Sequence, residues 1–105
     1  MSRAKSWLRE RLPDAPGSLM DEMIRSLADG DREIADDLAE GALRLYAATL
    51  GDSGEREGAL RLLAADALLT HAFERSALDP DGIEPLALRL GARGRLGALA
   101  EEGEV

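Results

Sequence analysis

The sequence contains no cysteine. Disulfides, thiol nucleophiles and cysteine-based zinc sites are therefore excluded. Trp7, Tyr46 and Phe73 are the only aromatics. β-Branched residues are confined to Ile24, Ile34, Ile83, Thr49, Thr70 and Val105. Sheets favour the residue types that are missing here, so a β architecture has little to draw on. His71 is the only histidine, which with the lack of cysteine argues against a hydrolytic triad. No Gly-Lys-Ser/Thr phosphate loop and no Gly-x-Ser-x-Gly elbow occurs. No apolar run approaches the ~20 residues of a membrane span. The richest stretch, Ala59 to Leu69, is interrupted by Arg61 and Asp66. The first residues are basic but lack an apolar segment and a small-residue cleavage site, so the expected location is cytoplasmic.

What is present is leucine and alanine, both good helix formers. The chain has 105 residues, of which 45% are hydrophobic and 32% charged. That is the size of one domain and too apolar for a disordered chain. The expected fold is all-α, a small antiparallel helical bundle of four to five helices. Residues 1–100 form a single domain in this reading, with an amphipathic helix over 1–12 and a bundle core over 18–90. Residues 101–105 are expected to be a flexible acidic tail. A core rich in alanine buries little area per residue, and at ~25 cal/mol per Å² it barely offsets chain entropy. A core shared between copies, hence a homo-oligomer, follows as an expectation.

Charge is unevenly spread around a net value of −8. Positions 1–12 and 85–100 are basic, whereas 14–84 and the tail are acidic. An acidic body repels phosphate, so nucleic acid is not an expected partner. The basic ends either contact the acidic middle of a neighbouring chain or are ordinary solvated faces.

Spacing predicts helices over Ser2–Leu12, from Ser18 as N-cap towards a stop at Gly30, over Asp31–Leu50 and over Glu55–Ala77. A fifth begins near Asp81 and is shortened or irregular through Gly91, Gly94 and Gly97. The apolar set of the fourth helix is broader than one stripe, so this helix is expected to be central or to contact two neighbours. Trp7, Leu60, Leu63, Leu68 and Phe73 are the candidate residues for a partner or oligomer interface. Gly41, inside the third helix, suits the close approach of another helix.

Two groups could carry metal chemistry. Glu33 with Asp37, and Asp36 with Glu40, share i,i+4 spacing and could offer oxygen ligands to Mg²⁺ or Ca²⁺. Acids at a helix start are also what the helix dipole favours. His71 and Glu74 at i,i+3 could add a nitrogen ligand, in the reverse order of the di-iron bundle motif. Asp66 lies within an apolar run. It either needs a buried partner, such as Arg44, Arg61 or a basic residue of another chain, or marks the edge of the stripe.

The stretch Leu63-Ala64-Ala65-Asp66-Ala67-Leu68-Leu69-Thr70-His71-Ala72-Phe73-Glu74 resembles a helix of the trans-isoprenyl diphosphate synthases, an all-helical family. In that family two aspartate-rich DDxxD motifs hold Mg²⁺ against the diphosphate. Asp36-Asp37-Leu38-Ala39-Glu40 is the nearest counterpart here. The arginine that follows the first motif and the whole second motif are missing, so the catalytic set is absent. The resemblance implies at most an accessory or degenerate subunit. The residues themselves point first to a non-enzymatic helical self-association or partner-binding module with no cofactor. The accessory subunit and a carboxylate/histidine metal-binding bundle are the alternatives.

Overall fold

The computed structural model describes residues 2–30, 32–50, 55–91, 94, 95, 97 and 98. Five helices run through them: α1 (Arg3–Arg11), α2 (Gly17–Ser26), α3 (Ile34–Leu50), α4 (Glu55–Ser76) and α5 (Glu84–Leu90). No strand occurs among the described residues. The fold is the expected all-α antiparallel bundle. Residues 101–105, read as a flexible tail, lie outside the described residues.

Local chemistry sets the helix ends, in places differently from the sequence expectation. Ser2 caps α1 by accepting the Lys5 backbone N–H at 3.2 Å. Ser18 does not cap α2. The Pro16 carbonyl already accepts the Met20 N–H at 2.9 Å, so the helix starts earlier and Ser18 sits exposed in its first turn. The same helix stops at Ser26 rather than near Gly30, because Leu27 turns extended and buries its side chain in the core. α3 starts at Ile34, later than expected, with the Asp37 N–H bonded to the Glu33 carbonyl at 3.0 Å. α5 starts at Glu84 rather than near Asp81. The intervening turn needs Gly82 at φ +65°, a conformation open to glycine, and Ser76 Oγ donates to its carbonyl at 3.1 Å. α5 ends at Leu90, as the glycine spacing predicted.

The central helix is α3, not α4. Ala35, Asp37, Leu38, Ala39, Gly41, Ala42, Leu43 and Leu45 of α3 are buried on several sides. Small residues allow this, since α1, α2 and α4 all pack against α3. α4 does contact two neighbours, α2 and α3, through Ala64, Ala65, Leu68 and Ala72. Gly41 is a tight point of this packing. A β-carbon there would lie 2.7 Å from Leu27 Cδ2, 3.0 Å from Ser26 Oγ and 3.3 Å from Leu68 Cδ1. Gly41→Val is therefore expected to lower stability by about 1–3 kcal/mol through overpacking, despite glycine's poor helix propensity. Urea unfolding checks this, and an unchanged midpoint would show that α2 and α4 can move aside.

The uneven charge is used within one chain. Lys5 Nζ donates to Asp29 at 2.6 Å, and Arg11 reaches Glu74 at 3.4 Å. Arg89 pairs with Asp36 at 2.5 Å, and Arg95 pairs with Glu40. The basic ends thus clasp the acidic middle of their own molecule, which neither sequence alternative anticipated.

Candidate functional site

The candidate metal residues do not converge. Glu33 is exposed before α3, and Asp36 and Glu40 are engaged by Arg89 and Arg95. Asp37, one turn after Glu33, points inward and is only 2% exposed. His71 and Glu74 are on α4, where Nδ1 lies 3.0 Å from Glu74 Oε1 without making a hydrogen bond. The His71 ring meets Trp7 edge-on at 6.3 Å between centroids. Among the described residues no group of three or more histidine and acidic side chains could hold a metal ion.

Asp37 is unusual in the core. Its Oδ2 is buried without a hydrogen-bond partner. Burial pushes its carboxyl above the usual range, and Asp36 adds to this, while Arg32 and Arg44 pull the other way. The buried carboxylate is therefore poorly compensated, and no Mg²⁺ ligand can be made of it without opening the bundle.

The described grooves are shallow and charged. One of about 430 Å³ lies between α3 and α5, floored by Ala39, Leu86 and Leu90. Its rim carries the Arg89–Asp36 and Arg95–Glu40 pairs. An adjoining groove of about 320 Å³ shares Asp36 and Arg89. Arginine and carboxylate nearly cancel along the first rim, whereas the adjoining groove sets Glu33, Asp36, Asp79 and Asp81 against Arg89 and is acidic.

The expected interface residues separate. Leu68 is fully buried, so it serves the core and not a surface. Trp7 and Phe73 are partly buried against that core, and Leu60 is half-buried. Leu63 alone of the five is exposed, at 56%, and Leu62 beside it is 43% exposed. They belong to an outward stripe of α4 formed by Arg56, Ala59, Leu62, Leu63, Asp66 and Thr70, all exposed. The Asp66 carboxylate is on the surface, and its partner is the Tyr46 hydroxyl, which donates to Oδ1, instead of Arg44 or Arg61. Burial and the neighbouring Asp66 push the Tyr46 hydroxyl up to about 12. This bond also sets the antiparallel level of the two helices. Leu50, four residues after Tyr46, comes level with Leu62, four before Asp66. Leu50, at the end of α3, is exposed too.

Arg56, Ala59 and Leu62 were not among the candidates from sequence. The signal was available in the outward spacing of Arg56, Ala59, Leu63, Asp66 and Thr70. It was obscured because the apolar residues on both sides of α4 merged into one broad set. No helix among the described residues is long and apolar enough to cross a membrane. Compared with protein-family models, curated proteins and solved structures, the chain matches none.

Proposed function

We propose that the chain is a non-enzymatic helical interaction module whose working surface is the outer face of α4. One observation carries the reading: Leu62 and Leu63 project side by side from the longest helix while its opposite face fills the core. Single exposed leucines are ordinary on protein surfaces. A contiguous apolar strip that also takes in Ala59 and comes level with Leu50 is the kind of feature that marks interaction sites. Around this strip the rest of the bundle is braced by ion pairs between its ends and its middle, which suits a scaffold that presents one face.

A photo-crosslinking amino acid at position 63 tests this in living cells. It is expected to give a discrete adduct, whereas the same group at exposed position 87 gives none. Leu62→Asp is expected to reduce the adduct at least about tenfold by placing a charge in an apolar contact. The helical circular dichroism signal should be unchanged, because Leu62 lies outside the core. No adduct from position 63, or equal adducts from both positions, would refute the reading.

A further inference from the structure

We propose that the occupant of the α4 surface is a second copy of this chain, docked antiparallel about a two-fold axis. This rests on the interaction-module reading and names its partner. Four outward residues of α4 carry it: Arg56, Ala59, Leu63 and Asp66. Their spacings are three, four and three residues, the rhythm that keeps side chains on one face of a helix. That order of spacings is the same read in either direction. An axis midway between Arg56 and Asp66 therefore sets Arg56 of each copy opposite Asp66 of the other. The same axis sets each Ala59 opposite Leu63 of the other copy, so a large side chain meets a small one twice in the middle. From Arg56 to Asp66 the helix rises ~15 Å, so apolar contact is closed at both ends by opposite charges.

The orientation is selected by charge. A parallel arrangement in register would set Arg56 against Arg56 and Asp66 against Asp66, both repulsive, whereas the antiparallel one makes two reciprocal attractions. The components are ready for it. Arg56 makes no ion pair among the described residues. Asp66 is held through Oδ1 by the Tyr46 hydroxyl, and its Oδ2 has no partner among the described residues. The chain as a whole carries −8, so two copies repel in most orientations. The outward stripe of α4 is an exception, where the charges of Arg56 and Asp66 balance. A seam of this length buries less than the ~1,200 Å² of a standard interface, which makes the dimer reversible, with dissociation in the micromolar range.

Charge reversal in separate chains gives the decisive test. Arg56→Glu sets acid against acid at both ends of the homodimer, and Asp66→Arg sets base against base. Each variant alone is expected to dissociate roughly tenfold more readily than the original chain in sedimentation velocity. An equimolar mixture of the two variants restores both attractions in a heterodimer and is expected to recover nearly the original affinity. Recovery on mixing also shows that both variants are folded, and it cannot arise from the lost Tyr46 contact, which mixing does not repair. A mixture that associates no better than its components overturns the antiparallel pairing. If Leu63→Asp still dissociates the dimer in that case, α4 remains the contact face and only the geometry is wrong. An original chain that sediments as an 11.2 kDa monomer up to millimolar concentration overturns the second copy as occupant. The crosslink at position 63 then stands as a separate test of the module.

Discussion

Leu68→Ala is expected to cost about 2–5 kcal/mol of unfolding free energy, the range for removing a fully enclosed leucine. Leu68 has no exposed surface, and its Cδ1 approaches Gly41 so closely that a β-carbon there would touch it at 3.3 Å. The hole left by truncation would sit where the central helix and α4 meet, between Ala-rich walls with little side chain to spare for filling it. A domain of this size has about 5–15 kcal/mol in total. At roughly 4–8 °C per kcal/mol, the thermal midpoint should fall by about 8 °C or more. Calorimetry at low protein concentration measures this without contribution from association. If the midpoint were unchanged and only the association constant moved, Leu68 would be an interface residue, as its position in an apolar run suggested, and the packing described above would be wrong.

Asp37→Asn is expected to have the opposite sign and to stabilise the protein at neutral pH by about 1–3 kcal/mol, the cost of a poorly compensated buried polar group. Asp37 is 2% exposed, with Oδ2 unpartnered. Desolvation raises its pKa in the folded chain above the ordinary carboxyl value of 3.8, so the folded state holds this proton more tightly than the unfolded state does. Such a group contributes stability that is fully present below about 3.8 and is lost as pH rises through the folded-state pKa. The asparagine variant has no proton to lose at this position. The difference between variant and original should therefore be smallest in acid, grow above pH ~3.8 and level off once the folded-state carboxyl is ionised. Chemical denaturation of both proteins at several pH values gives the difference directly, and the other carboxylates cancel in it. A difference that does not change with pH, or that shrinks towards neutrality, would mean that Arg32 and Arg44 compensate the charge in full.

The helical class was legible because leucine and alanine recur at the helical repeat while sheet-forming residues are scarce. The stop at Leu90 was legible from Gly91, Gly94 and Gly97. The start of α2 was not, because Ser18 has the chemistry of a cap but Pro16 lies two residues ahead of it and its carbonyl is already in place. Which helix is central was also hidden. α4 is the longer helix, but α3 is the more apolar per residue, and its alanines and Gly41 let three neighbours come near. The candidate site was legible in part. Leu63 is where the sequence placed it, on a surface, but Leu68 on the other side of the same helix was grouped with it. Five residues apart on a helix is more than a third of a turn past one full circle, and that offset separates inside from outside. The ion pairs linking Arg89 to Asp36 and Arg95 to Glu40 join residues 53 and 55 positions apart and could not be read from local spacing.

The lone tryptophan sits edge-on to the lone histidine, with α1 supplying the first and α4 the second. Every photon the indole emits therefore originates at one seam of the molecule. Ultraviolet fluorescence of the unlabelled protein is therefore a built-in gauge of whether the first helix is seated on the fourth.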